Sequence, residues 1–196
     1  MTHAGTIASL VGSLAALASL AGQGTSAPSP AATPAPAASP SPRERIVAEG
    51  IKLIGTTEAT GKNDGAAVDR ILGSVGLAGS GAPWCAAANR YVYDQAGLRD
   101  VGPRSAWSPD WVASPTWTKA KGGKTPLPGD AWGIYFSSKG RVAHTGLVEK
   151  WGTTVVTLEG NTSPDAVAGS AADRDGGGFH RKRRLQSQIY SVRSWL

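Results

Sequence analysis

The chain has 196 residues, 40% of them apolar and only 17% charged, with 26 Gly and 13 Pro. That length suits one catalytic-sized domain plus a tail. A single Cys excludes an internal disulfide and a Cys-rich zinc site. With three His and no His-Glu-x-x-His pattern, a His-rich metal enzyme is not expected, and no cofactor is implied. The net charge of +6 favours an anionic partner: nucleic acid, a membrane surface or a bacterial envelope.

The charge is unevenly placed, because Met1–Pro42 contains no Lys, Arg, Asp or Glu. Within that stretch Ala4–Gly22 is a weakly apolar run, which as a helix would span roughly 28 Å. Three readings of residues 1–22 stay open: an export signal without a basic start, a weak membrane helix, and a small-residue helix packed in an assembly. Residues 23–42 are Pro-, Ala- and Ser-rich and cannot bury enough apolar surface to offset ordering entropy, so they read as an extended linker. The domain is expected over 43–196.

Within it, Ile46, Val47, Gly50, Ile51 and Ile54 recur at helical spacing and predict a helix over Arg43–Thr57, stopped by Gly55. Asp64–Val75 predicts a second helix, with Ala67, Val68, Ile71 and Leu72 on one face. Pro83 introduces a third, Trp84–Ala96, which Gly97 is placed to cap. Pro128-Gly129-Asp130 is a turn before a strand at Ala131–Phe136, and in it Asp130 closes the turn rather than doing acid–base work. Strands follow at Val142–Lys150 and Thr153–Gly160, with Gln188–Arg193 a candidate last one. Helices first and antiparallel strands afterwards indicate an α+β domain.

Cys85 would open the third helix. There the positive end of the helix dipole favours thiolate, and Ala86-Ala87-Ala88 leave the helix free to lie close to a sheet. A lone Cys is also commonly a small buried hydrophobe. The downstream strands bear on that choice. If Trp151-Gly152 is a two-residue hairpin turn, Val148 lies opposite Val155, Gly146 opposite Thr157 and His144 opposite Glu159. Asn161 then falls on the same face, opposite Val142. A His, a Glu and an Asn thus converge, and Gly146 beside them would leave room for a helix end.

Gly81-Ala82-Pro83-Trp84-Cys85-Ala86-Ala87, Pro128-Gly129-Asp130, Val142-Ala143-His144-Thr145-Gly146-Leu147-Val148 and Leu158-Glu159-Gly160-Asn161 resemble, in this order, the CHAP domain. These are cysteine, histidine-dependent amidohydrolases/peptidases related to the NlpC/P60 group, found in phage endolysins and bacterial wall hydrolases. The resemblance runs from about Ile46 to Leu196 and includes the stretches Glu58–Asp64 and Val68–Leu77. It implies a papain-like NlpC/P60-type domain, with N-terminal helices packed on an antiparallel sheet. Carried over by position, Cys85 is the nucleophile, His144 the base, Glu159 the residue orienting His144, and Asn161 a supporting polar group. Ala88-Asn89 depart from the pattern, since a bulky apolar residue usually follows the Cys-Ala-Ala element. Some relatives bind calcium through acidic residues just before the Cys. Leu77–Trp84 has none, so no such ion is expected.

Trp84, Trp107, Trp111, Trp117 and Trp132 serve packing or line a saccharide or peptide groove, with Trp84 and Trp132 the substrate-binding candidates. The basic run His180-Arg181-Lys182-Arg183-Arg184 reads either as a solvated loop or strand edge, or as an attractor of wall polymers, lipid headgroups or nucleic acid. The resemblance implies a peptidoglycan amidase or endopeptidase acting in the bacterial envelope, outside the cell or in a phage virion. Membrane or phage-particle association through residues 1–22 goes with it. The alternative is a structural or binding component of a phage tail in which wall cleavage is incidental or lost. A nucleic-acid binder ranks third, because no aromatic stacking motif is recognisable.

Overall fold

The computed structural model describes residues 38–196, and the domain unit begins at Ala38. The readings of residues 1–22 and of most of the linker lie outside the described residues. Among the described residues no helix is long and apolar enough to cross a membrane.

Helix α1 runs over Pro42–Lys52 and starts where its sequence caps it. The Ser41 hydroxyl accepts the Glu44 backbone N–H, while the Glu44 carboxylate accepts that of Ser41, and Pro42 fills the first helical position. The helix ends at Lys52, short of the predicted Thr57, and Leu53–Gly55 turn the chain away. Helix α2 is Ala66–Gly73 and α3 is Cys85–Gln95, each slightly shorter than its apolar pattern suggested. Gly97, with φ +78°, lets the chain leave α3. A one-turn helix α4, Ser108–Trp111, and two short strands, β1 (Trp117–Thr118) and β2 (Gly122–Gly123), were not legible. Then come β3 (Ala131–Phe136), β4 (Arg141–Lys150), β5 (Thr154–Thr162), the short α5 (Ala171–Arg174), β6 (Gly178–Leu185) and β7 (Ser191–Arg193).

The strands form one seven-stranded antiparallel sheet in the order β2-β1-β7-β3-β4-β5-β6, so the domain is α+β. One face of β3, β4 and β5 (Ala131, Leu147, Leu158) packs on the helices, and the other carries Trp132, Val148 and Val155 with Val192 of β7. The three alanines after Cys85 are fully buried, and they let α3 settle onto β5. A Cβ at Gly160 would stand 2.7 Å from the Trp84 ring and 2.9 Å from Ala88 Cβ, so this contact requires glycine. The departure at Ala88-Asn89 is explained here: Ala88 meets Gly160, and the Asn89 amide donates to the Thr145 hydroxyl at 3.2 Å.

Asp130 does close its turn. It accepts the Leu127 N–H at 2.8 Å and pairs with Arg43 at 2.7 Å, fastening α1 to the sheet.

The β4–β5 register differs from the one expected. Leu147 pairs with Leu158 and Val148 with Thr157, two residues along from a tight Trp151-Gly152 hairpin. Next to the turn Lys150 pairs with Val156, three residues along, and an irregularity between Val148 and Lys150 takes up the odd residue. Because side chains alternate, a slip of two leaves every residue on its own face. His144 and Glu159 therefore still share a face, although they are not directly opposed. Gly146 makes room for Glu159 and Trp132 rather than for a helix. A Cβ there would lie 3.2 Å from Glu159 Cγ and 3.0 Å from the Trp132 ring.

Candidate active site

Helix α3 delivers the thiol and the β4–β5 pair delivers its partners. Cys85 is the first residue of α3, is nearly buried, and lines a cleft of about 360 Å³ together with Ala82, Pro83, Trp107, Ser108 and Arg141. Burial alone would raise its thiol. Hydrogen bonding to His144 and the charge of that ring outweigh burial, with help from the Ser108 hydroxyl (3.4 Å) and the Thr145 backbone, and the thiol is lowered from its ordinary 9.0.

His144 is fully buried. Its Nε2 lies 3.1 Å from Glu159 Oε2. Its Nδ1 has no partner of strict hydrogen-bond geometry, and is the nitrogen left to address the thiol. Burial pushes the imidazole down, but Cys85 and Glu159 together overcome that and raise it to about 9. The ring of Trp132 meets the imidazole edge-on at 5.6 Å and holds its plane. These two shifts favour a thiolate–imidazolium pair between the lowered thiol value and about pH 9.

Glu159 is also fully buried, and burial alone would raise it. Arg184, bonded through Nε to Oε1 at 2.7 Å and through Nη2 to Oε2, drives it far below the usual carboxylate range, with His144 assisting. The Thr157 hydroxyl donates to the same carboxylate. Arg184 also bonds the buried Asp173, which Lys182 reaches at 3.1 Å. This corrects the reading of His180–Arg184 as a wholly solvated run. On the edge strand β6, Arg181 and Arg183 face solvent, whereas Lys182 and Arg184 are buried beneath the site. Arg184 is the residue that sequence reasoning missed. The available signal was alternation, since 182 and 184 share one face of a strand.

His144, Glu159 and Asp173 also bring possible ligand atoms within 4.8 Å of one another. The Arg184 guanidinium already bonds both carboxylates and stands where a cation would, so this donor set does not fit a metal.

Of the six candidates, the structure brings Cys85, His144 and Glu159 together. Asn161 is elsewhere, because β5 is irregular after Glu159 and Asn161 takes a left-handed backbone with φ +57°. Its side-chain oxygen accepts the Trp84 N–H at 2.9 Å, and its amide donates to Asn63 (2.8 Å), Glu58 (3.3 Å) and the Gly176 carbonyl (3.2 Å). It anchors the start of α3 and so positions Cys85 rather than supporting His144. Trp84 and Trp132 are fully buried and offer no face to substrate. Trp84 donates its indole N–H to Glu58 at 2.9 Å, and Trp132 packs beneath His144. The aromatic that does line the cleft is Trp107, 49% exposed.

Asn161→Ala is therefore expected to lose about 1–3 kcal/mol of stability from the buried bonds it abandons, plus backbone strain. Asn161→Gly, which tolerates the positive φ, should recover only the strain. Urea melts of the two would show the difference, and equal stability of Asn161→Ala and wild type would overturn the anchoring role.

No family model, curated protein or solved structure matches the chain.

Proposed function

We propose that the protein is a cysteine amide hydrolase acting on peptidoglycan, as an N-acetylmuramoyl-L-alanine amidase or an endopeptidase of papain-like NlpC/P60 type. The observation that carries this reading is Cys85 at a helix N-terminus, lining a cleft and near enough to His144 for each to shift the other's protonation, with His144 held in turn by the buried Glu159. The choice of peptidoglycan rests on the resemblance to CHAP domains, as does action in the bacterial envelope or in a phage particle.

In this mechanism the Cys85 thiolate attacks the amide carbonyl carbon. Helix α3 leaves the N–H groups of its first turn without intrahelical partners, and in this mechanism that of Cys85 stabilises the oxyanion. The Trp84 N–H is already taken by Asn161. The His144 imidazolium protonates the leaving amine as the C–N bond breaks, giving a thioester. The neutral imidazole then takes a proton from water, which attacks the thioester and releases the acid, and the proton returns to the pair. Glu159 keeps the ring oriented and balances its charge throughout.

Two measurements test this. Fragments released from purified peptidoglycan, identified by mass spectrometry, should end at a cleaved amide, and no new ends would overturn it. Alkylation by iodoacetamide at pH 6 should run about tenfold or more faster than for a free thiol, which is almost wholly protonated there. The signs follow from the two shifts. A lowered thiol stays ionised down to a pH below its ordinary range, so alkylation should persist as pH falls. A His raised to about 9 is charged only below that value, so hydrolysis should decline above about pH 9 while alkylation does not. Alkylation that begins only near pH 9 would mark Cys85 as an ordinary buried thiol.

A further inference from the structure

The cleft beside Cys85 contains two guanidinium groups, Arg141 and Arg174, and no carboxylate among its lining residues. Arg141 opens β4, three residues before His144, and stacks its guanidinium on the exposed Trp107 ring at 3.8 Å. It donates one N–H to the Val142 carbonyl at 2.9 Å, and among the described residues no carboxylate pairs with it. Stacking fixes the plane of the fork and leaves its remaining in-plane donors at the cleft wall. Arg174, at the end of α5, has only a long 3.5 Å contact with its neighbour Asp175. An ordinary surface Arg is free to swing into solvent. One stacked on an indole, in the cleft that Cys85 lines and without a carboxylate partner among the described residues, is oriented to receive an anion.

We propose that Arg141 and Arg174, with Trp107 as the platform, form a carboxylate-binding subsite, so that the preferred substrate carries a free carboxylate on the residue flanking the scissile amide. The inference deepens the amide-hydrolase reading of Cys85 and rests on it for the word substrate. The subsite itself binds a carboxylate whether or not turnover occurs. The recognised chemistry is an acidic peptide or acyl group, and its amidated counterpart is discriminated against. The cleft's volume of about 360 Å³ is enough for one such side group beside the amide.

The test compares two alkylating probes of similar size, anionic iodoacetate and neutral iodoacetamide, by intact mass on the full chain. Relative to glutathione, Cys85 should show an iodoacetate-to-iodoacetamide rate ratio raised about fivefold or more. The ratio should fall in R141Q, fall further in R141Q/R174Q, and fall for the wild type in 1 M salt. A ratio equal to that of glutathione, or one the double variant leaves unchanged, overturns the subsite. Failure of both reagents to alkylate overturns the catalytic thiol instead. In that case calorimetry on the Cys85→Ala protein decides the subsite, with N-acetylglutamate α-amide, which has one free carboxylate, expected to bind about tenfold or more tighter than N-acetylglutamine α-amide, which has none. Equal affinities, or no binding of either, refute it.

Discussion

Cys85→Ala is expected to bring release of fragments from purified peptidoglycan down to the uncatalysed background, because no other thiol exists in the chain. The fold should survive, since Ala suits the first turn of a helix and the change removes one sulfur whose hydrogen-bond contact is the Ser108 hydroxyl at 3.4 Å. A melt within about 1 kcal/mol of wild type is the control. His144→Ala should cost roughly 10²–10⁴-fold, because both the thiol's counter-charge and the proton donor to the leaving amine disappear. Glu159→Gln keeps the shape of the side chain but removes the charge that raises His144, so its activity should lie between that of His144→Ala and wild type. Its decline in rate at alkaline pH should begin below that of wild type, because a less stabilised imidazolium deprotonates earlier. Turnover retained in Cys85→Ala would end the covalent mechanism. A Glu159→Gln protein with wild-type rate and pH profile would remove Glu159 from the site.

The parts of this site that could be read in advance were those set by local rules. Pro83 before Trp84-Cys85 and glycine after Ala96 mark a helix whatever surrounds it, and they place Cys85 at its positive end. The side-chain period of a strand is two, so His144 and Glu159 share a face under any even register. The assumed tight hairpin was wrong by two residues, and their meeting survived it. What failed needed long-range or irregular backbone. Asn161 left the expected face because β5 bulges there and the residue turns left-handed, which no alternation pattern announces. Trp84 and Trp132 are aromatic candidates for a substrate groove on composition alone, yet the layer around α3 and β3 buries both, while Trp107 reaches the cleft from a loop. Arg184 was hidden by composition. A run of five basic or titratable residues looks solvated until β6 pairs with β5 and sets Lys182 and Arg184 among buried carboxylates.

That buried network carries the second large effect. Arg184→Met should destabilise the domain by about 3–5 kcal/mol near neutral pH, because it leaves the carboxylates of Glu159 and Asp173, both fully buried, without their shared guanidinium. Lys182 remains for Asp173 only. The penalty belongs to ionised carboxylates, which fixes its pH dependence. Burial raises Glu159 and Asp173, and Arg184 more than reverses this in the wild type, holding both below their ordinary values of 4.5 and 3.8. Stability from that lowering is fully present above those ordinary values and is lost as pH falls through the lowered ones. In Arg184→Met the same carboxylates take up protons more readily, so the stability gap to wild type should narrow steadily as pH drops toward 4. The double variant Arg184→Met/Glu159→Gln leaves Asp173 paired with Lys182 and removes the carboxylate that Arg184 alone among the Arg and Lys residues held. It should regain much of the lost stability at pH 7 while hydrolysis stays impaired, because Glu159 no longer balances His144. Urea melts at several pH values, read beside turnover, separate the two contributions. A gap that is independent of pH, or a double variant no more stable than Arg184→Met, would show that Arg184 acts by packing over Trp132 rather than by holding the carboxylates charged.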